Sequence, residues 1–260
     1  MTTQAEKAEL LRSLHVPGDP LILTNVWDAV TARIVAGVPG VKAIASASHS
    51  VSYAHGVSDG EGMTVEQALT ASREIVDAVE LPVTIDFEKG YAADPGAVDV
   101  NVRRLIQTGA VGLNLEDSVD GSSLFPLELA ADRVAAARRA GVSSSIPIVI
   151  NARVDALVRG SDWDDMVARA NAYLVAGADC IFVLGLGTEE LVQRAVAEID
   201  GRVSVISGAT SVPLVRLAEL GVSRVSFGPG ILGLTLSHLQ DAVAALTSRG
   251  EYPPELGFEY

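Results

Sequence analysis

The apolar positions of this chain fall into short unbroken runs, and most runs follow an amphipathic stretch that closes on glycine. RRLIQTGAVGLNLED, AARRAGVSSSIPIVINARVD, AYLVAGADCIFVLGL and RLAELGVSRVSFGPG share this form. The runs lack polar/apolar alternation until their last residues, as strands do when both faces of a parallel sheet are covered. Eight runs can be counted: LILTNVWD, AIASAS, VTIDFE, GLNLED, IVINARVD, CIFVLGL, VSVISG and RVSFGP. Amphipathic stretches over 28–37, 64–79, 94–109, 127–141, 161–176, 188–199, 211–220 and 231–248 alternate with them and predict helices. Asp28, Thr64, Asp94 and Ser161 mark helix starts. Gly109, Gly141, Gly177 and Gly221 read as C-cap glycines.

Eight βα units in 260 residues predict an α/β fold, a single (β/α)8 TIM barrel over 1–260. A polar helix at about 4–14 precedes it and a short tail at about 250–260 follows. The tail, PPELGFEY, reads equally as a partner-contacting end or a frayed terminus.

Composition narrows the class. The net charge is −14 and the isoelectric point about 4.6, the wrong sign for a protein that tracks nucleic-acid phosphates. No apolar run reaches the ~18 residues of a membrane span. The N-terminus lacks the basic start and apolar middle of a signal peptide. One cysteine excludes an internal disulfide and suits a reducing compartment. The expectation is a cytoplasmic protein with no nucleic-acid or membrane partner.

Barrel chemistry sits at the C-terminal ends of the strands, and here those ends are polar. They carry Asn25, Trp27 and Asp28; Ser46, Ser48 and His49; Asp86 and Glu88; Asn114, Glu116 and Asp117; and Asn151, Arg153 and Asp155. Read as strand, Asp86 and Glu88 share a face. Carboxylates gathered this way repel unless a cation lies between them. Oxygen-only ligands suit Mg²⁺, with Mn²⁺ as substitute, better than Zn²⁺. Asp86 is expected as direct metal ligand, with Glu88 and Glu116 acting partly through water; the competing role is pairing with arginines or capping helices. Asn151, Arg153 and Asp155 share a face, so Arg153 either grips a substrate carboxylate or forms an ion pair with Asp155. Ser46 and Ser48, with nearby backbone N–H groups, either hold a second carboxylate or are ordinary loop-entry hydroxyls. Lys89 is expected to point away from the acids, and Cys180 to be a small core residue.

NVWDA, the serine-rich SAS, DGEGMT, DFEKGY, GLNLEDS and INARVDA, in this order from about residue 20 to about residue 230, resemble the isocitrate lyase/phosphoenolpyruvate mutase family, in its carboxyvinyl-carboxyphosphonate phosphorylmutase-like branch. The resemblance implies a Mg²⁺-dependent barrel that makes or breaks a C–C or P–C bond of a small anionic 2-oxo or 2-hydroxy acid through a metal-held enolate. It implies an eighth helix exchanged between subunits, hence a dimer or homotetramer. Asp86 and Glu88 match the family's acidic pair, Glu116 the acid of its strand-4 motif, and Asp59 a loop aspartate near metal and substrate. Arg153 matches its substrate-binding arginine, with Val154 in place of a threonine. Ser46, Ala47 and Ser48 match its carboxylate-binding segment. Asn25, Trp27 and Asn151 complete the expected substrate-binding set, and Arg153, Glu116 and Asp59 the catalytic one.

One segment departs. Family lyases carry Lys-Lys-Cys-Gly-His or Lys-Arg-Cys-Gly-His soon after strand 4, whereas this chain reads DSVDGSSLFPLE, without Cys, His or Lys. Phosphoenolpyruvate mutases use a Lys and an Asn there, also missing. Decarboxylation of a β-keto acid such as oxaloacetate demands least, needing an electron sink but no acid on the departing CO₂. Water, Tyr53 or His49 would then protonate the enolate. The main expectation is a lyase or decarboxylase. The alternatives are a phosphoenolpyruvate or phosphonopyruvate mutase or hydrolase, a Schiff-base enzyme using Lys89, and a non-catalytic small-acid-binding barrel.

Overall fold

A computed structural model describes residues 2–249, so the tail expectation lies outside the described residues. Nine strands form the sheet: β1 Leu21–Leu23, β2 Asn25–Val26, β3 Ile44–Ser46, β4 Val83–Asp86, β5 Gly112–Glu116, β6 Val149–Val154, β7 Cys180–Val183, β8 Val203–Ile206 and β9 Arg224–Ser226. Every neighbouring pair is parallel, and β1 pairs β9 while β2 pairs β3. Since β1 and β2 are halves of one strand interrupted at Thr24, the ring closes through them and the fold is the expected eight-fold barrel.

Among the described residues ten α-helices accompany the strands: α1 Gln4–Ser13, α2 Ala29–Ala36, α3 Ser48–Ala54, α4 Val65–Asp77, α5 Pro95–Ile106, α6 Leu127–Ser143, α7 Trp163–Val175, α8 Glu189–Glu198, α9 Leu214–Glu219 and α10 Gly230–Arg249. Asp28, Thr64 and Asp94 cap α2, α4 and α5 through side-chain oxygens that accept from backbone N–H groups. The cap of α7 is Asp162, not Ser161, whose hydroxyl donates to Asp165 instead. Gly109, Gly177 and Gly221 do adopt positive φ after their helices. Gly141 does not end α6; the helix runs on to Ser143. Its role is close packing, because a Cβ there would lie 2.9 Å from Ile146 O and Ile148 Cγ2. Helix α3 was not foreseen, since SHSVSYA reads as loop entry after the strand.

The main apolar core lies between the strands and the surrounding helices, with Ile44, Ile85, Leu113, Ile150, Ile181 and Val225 among its buried residues. A second cluster joins Ala8 and Leu11 of α1 to Leu21, Leu23, Ala45 and Val149, so α1 plugs the barrel at the N-terminal ends of the strands. Leu11 is fully buried, which contributes roughly 2 kcal/mol. Gly112 permits this approach: a Cβ there would meet Leu11 Cδ2 and Thr84 Oγ1 at 2.8 Å. With one end filled, the opposite end is left for chemistry. Among the described residues no helix is long and apolar enough to cross a membrane.

Candidate active site

Strand register assembles the site. Asp86, Asn114 and Asn151 stand opposite one another across β4, β5 and β6, and Glu116 faces Arg153 one pleat nearer the mouth. In-register parallel partners project to the same side, so two polar rows stack at the strand ends.

Asp86 is anchored first. Its Oδ2 accepts from Ser48 N at 3.0 Å and Ser48 Oγ at 2.9 Å, and Asn114 Nδ2 donates to Oδ1 at 3.4 Å. Its own N–H donates to Ser46 Oγ at 2.9 Å. Ser48, in the segment expected to hold a substrate carboxylate, thus holds that of Asp86. Ala47 sits between these serines as the extended residue preceding α3.

Glu88 meets Asp86 by a different route from strand alternation. β4 ends at Asp86, and Glu88 takes φ 48° in the following turn. Glu61 and Tyr91 also adopt positive φ, 65° and 55°, so three non-glycine residues hold a disfavoured backbone at this one place. Tyr91 Oη donates to Glu88 Oε1 at 2.9 Å, and Glu61 N–H donates to Oε2. Tyr91 N–H returns to Glu61 Oε1 at 2.7 Å, and Lys89 Nζ donates to Gly60 O at 3.2 Å. Lys89 thus pins the 58–62 turn, and its Nζ also lies 3.6 Å from Glu61 Oε2. Asp59 lies exposed in that turn, and its charge adds to the push on Glu88.

Arg153 carries three contacts. Its Nε and Nη2 donate to Asp155 Oδ1 and Oδ2 at 2.6 and 2.9 Å, and Nη1 lies 2.8 Å from Glu116 Oε2. Five N–H groups are available on a guanidinium, so two remain for a ligand. The ion pair with Asp155 and a grip on an anion are compatible. Asp155 is fully buried and also accepts from Ser118 Oγ at 2.5 Å.

The acids are crowded. Burial, with Asp86 and Asp59 adding repulsion, pushes Glu88 up to about 7. Burial pushes Glu116 up to about 8 in spite of Arg153, with Asp155, Asp86 and Glu88 opposing its charge. A cation would relieve both. The available donors are carboxylate and hydroxyl oxygens, but among the described residues no three His, Cys, Asp or Glu side chains come close enough to hold an ion by themselves. A hard ion such as Mg²⁺ is held by oxygen donors and takes one or two carboxylates directly; Asp86, Glu88 and Glu116 are donors of that chemistry.

Other expected residues are held by contacts of their own. Asn25 bridges strands, donating to Ser46 O and accepting from Phe227 N, each at 2.8 Å. Trp27 packs in the main core. Asn151 is fully buried a row below the mouth and donates to Asn114 Oδ1 at 2.9 Å. Asp117 accepts from Tyr173 Oη at 2.7 Å and pairs with Arg169, the structural role weighed for it. Cys180 is buried.

Arg133 escaped sequence reasoning. From α6 it donates to the carbonyls of Glu116, Lys89 and Ala92, and its guanidinium lies 4.0 Å over the Phe125 ring. It braces the ends of β4 and β5, and so Glu88 and Glu116. The available signal was an arginine on the apolar face of α6, next to buried Val134 and one turn after Ala130.

The segment after β5 is closed on itself. Ser118 bridges Leu124, Asp120 Oδ1 accepts from Ser122 and Ser123 N–H, and Arg159 donates to Ser118 Oγ and Gly121 O. No acid/base side chain other than Asp117 and Asp120 is carried by residues 117–125, and both are committed.

Comparison with known proteins gives a consistent picture. The family pattern described as phosphoenolpyruvate phosphomutase matches residues 11–247. The chain is 31% identical over 175 residues to 2-methylisocitrate lyase of Escherichia coli, covering 63% of this chain and 57% of that one. It is 27% identical over 239 residues to oxaloacetate decarboxylase 1 of Pseudomonas putida, covering 84% and 76%. Among solved structures, a protein provisionally assigned as a phosphonomutase from Burkholderia cenocepacia superposes with a TM-score of 0.88 at 40% identity, over 92% of this chain and 99% of that one.

Proposed function

The chain belongs to the isocitrate lyase/phosphoenolpyruvate mutase superfamily, and from that premise we propose that it is a Mg²⁺-dependent carbon–carbon lyase acting on a small 2-oxo or 2-hydroxy acid, with a decarboxylase of a β-keto acid such as oxaloacetate as the favoured form. The observation that carries the reading is the pairing of a crowded acid cluster, Asp86, Glu88 and Glu116, with an arginine that keeps two N–H groups free.

Asp86, with Glu88 and Glu116 acting through water, would hold the ion; when bound, it supplies positive charge beside the substrate's 2-oxo oxygen. Arg153 orients the substrate carboxylate through its uncommitted N–H groups and is itself held flat by Asp155. Glu116 fixes the third side of that guanidinium. Asp59, exposed on the turn pinned by Lys89, is the residue we assign to cover the bound acid. For a β-keto acid the bond to the distal carboxylate breaks, CO₂ leaves, and the electron pair enters the ketone as an enolate. A proton on the adjacent carbon then gives the 2-oxo product. No acid is required on the departing CO₂, which matches the self-closed 117–125 segment. His49 and Tyr53, stacked at 6.4 Å on α3, are the protein groups proposed to relay the closing proton from solvent.

A P–C reading is favoured by one observation, the 40% identity to the provisional phosphonomutase. Incubation with oxaloacetate and with phosphonopyruvate in Mg²⁺, following pyruvate and phosphate, separates the two. Pyruvate from oxaloacetate without phosphate from the phosphonate supports the lyase. The reverse selects P–C chemistry, and binding of both without turnover selects a non-catalytic barrel. We also propose a homo-oligomer formed through α10, whose Leu234, Leu239 and Val243 are at least half exposed; a monomeric mass by light scattering would refute it.

A further inference from the structure

Beneath the acid cluster the barrel interior holds an arginine in an unusual setting. Arg224, on β9, is 1% exposed, and among the described residues no carboxylate lies within ion-pair distance of it. Its Nε and Nη1 have no hydrogen-bond partner. Its one side-chain hydrogen bond among the described residues runs from Nη2 to Asn114 Oδ1 at 3.1 Å. Burying a charge with two nitrogens unsatisfied is costly, so this residue is a poor device for stability.

What the contact does is orient an amide. Asn114 Oδ1 accepts from Arg224 Nη2 and from Asn151 Nδ2 at 2.9 Å. Were the amide reversed, its NH₂ would face the guanidinium of Arg224, which can only donate, and its oxygen would face the carboxylate of Asp86. Asn114 can therefore present only its NH₂ group upward, and that group meets Asp86 Oδ1 at 3.4 Å. With Oδ2 held by Ser48, both oxygens of Asp86 are fixed, and Oδ1 keeps a lone pair for the mouth of the barrel.

We propose that Arg224 is a positioning residue of the cation site: through Asn114, 110 residues away in sequence, it sets the direction in which Asp86 offers its free oxygen lone pair. The inference rests on the reading of Asp86 as an ion ligand. Groups standing behind a metal ligand in this way commonly account for 10–100-fold in metal affinity.

The sign of the effect separates orientation from simple electrostatics. Removing a nearby positive charge would, by charge alone, tighten cation binding. Loss of orientation weakens it. The test is Mn²⁺ affinity by electron paramagnetic resonance on the full-length wild type, Arg224→Met and Arg224→Lys, with melting temperatures in EDTA. The expected result is a Mn²⁺ dissociation constant roughly tenfold higher in Arg224→Met. Arg224→Lys, which keeps a donor for Asn114 Oδ1, should restore binding to within about threefold of wild type. The metal-free melting temperature of Arg224→Met should be equal or higher, since replacing a poorly satisfied buried charge by an apolar side chain is neutral or stabilising. Equal or tighter Mn²⁺ binding by Arg224→Met overturns the inference. So does a Met variant that melts far lower or fails to fold, because the guanidinium would then be a strut. A wild type that binds no Mn²⁺ shows itself in the control and overturns the reading of Asp86 first.

Discussion

Replacing Arg153 by lysine tests the centre of the site, because it keeps the charge and removes the fork. The guanidinium makes two bonds to Asp155, at 2.6 and 2.9 Å, and one contact of 2.8 Å to Glu116. A lysine brings a single nitrogen and can meet one of these carboxylates well. Two charge-assisted bonds are lost, each worth about 1.5–3 kcal/mol, which agrees with the roughly 3–5 kcal/mol for breaking a buried pair. The retained charge returns about 1 kcal/mol of Coulomb energy, leaving a loss of about 3 kcal/mol. Asp155 is fully buried, so water cannot repair the gap. For a chain of this size such a loss lowers the melting temperature by roughly 6–12 °C. At 20 °C the variant stays folded, so activity can be read separately from stability. There kcat/KM for a 2-oxo acid should fall at least about 100-fold, since a point charge cannot hold a carboxylate in the bidentate pose. Thermal melting and steady-state pyruvate formation give the two readouts. A melting temperature within about 2 °C of wild type would refute the energetic argument. A large drop in stability with unchanged kcat/KM would make Arg153 only a strut for Asp155.

Saturating Mg²⁺, at about 100 times its dissociation constant, should stabilise the fold by about 2.7 kcal/mol, or roughly 5–10 °C. Asp86→Asn should abolish that rise, and an equal rise in the variant would contradict the ligand assignment. His15 should make the protein acid-sensitive: buried beside α1 with Nδ1 on Leu11 O at 2.8 Å, it is pushed from 6.5 down to about 4, by burial first and then by Arg224. Its contribution is complete above pH 6.5 and is lost as pH falls towards 4, because the unfolded chain binds the proton first; the full loss is about 3 kcal/mol. Glu88 and Glu116, pushed up to about 7 and about 8, bind protons in the fold over the same window and oppose this loss. The readout is therefore the difference: on going from pH 7 to 4.5 in urea unfolding, wild type should lose about 2.5 kcal/mol relative to His15→Gln, and parallel pH dependences would refute the assignment. Oxalate, planar and doubly charged like an enolised 2-oxo acid, should inhibit competitively, and failure to bind at millimolar concentration would argue against an enolate site.

Much of the barrel is written in local pattern. The unbroken apolar runs, the aspartate and threonine caps and the glycines after helices depend on neighbours only a few residues away, and β3 to β9 with their helices follow from them. The same locality made Asp86, Glu116 and Arg153 legible as strand-end residues, and their shared side follows from the period of a strand. Where the backbone leaves that period the pattern gives no guidance. Glu88 lies past the strand in a left-handed turn, SHSVSYA folds into α3, and Gly141 is buried within a helix that continues past it. The choice of partners lay further out of reach. Ser48 turns to Asp86, Arg133 to the carbonyls behind Glu88 and Glu116, and Arg224 to Asn114. These contacts join residues 17 to 110 positions apart, and their geometry is set by the register and closure of the sheet. The sequence by itself thus determined which chemical groups stand at the mouth of the barrel. The tertiary structure decided which of them hold one another in place, because only a closed ring brings the first polar strands back beside the last.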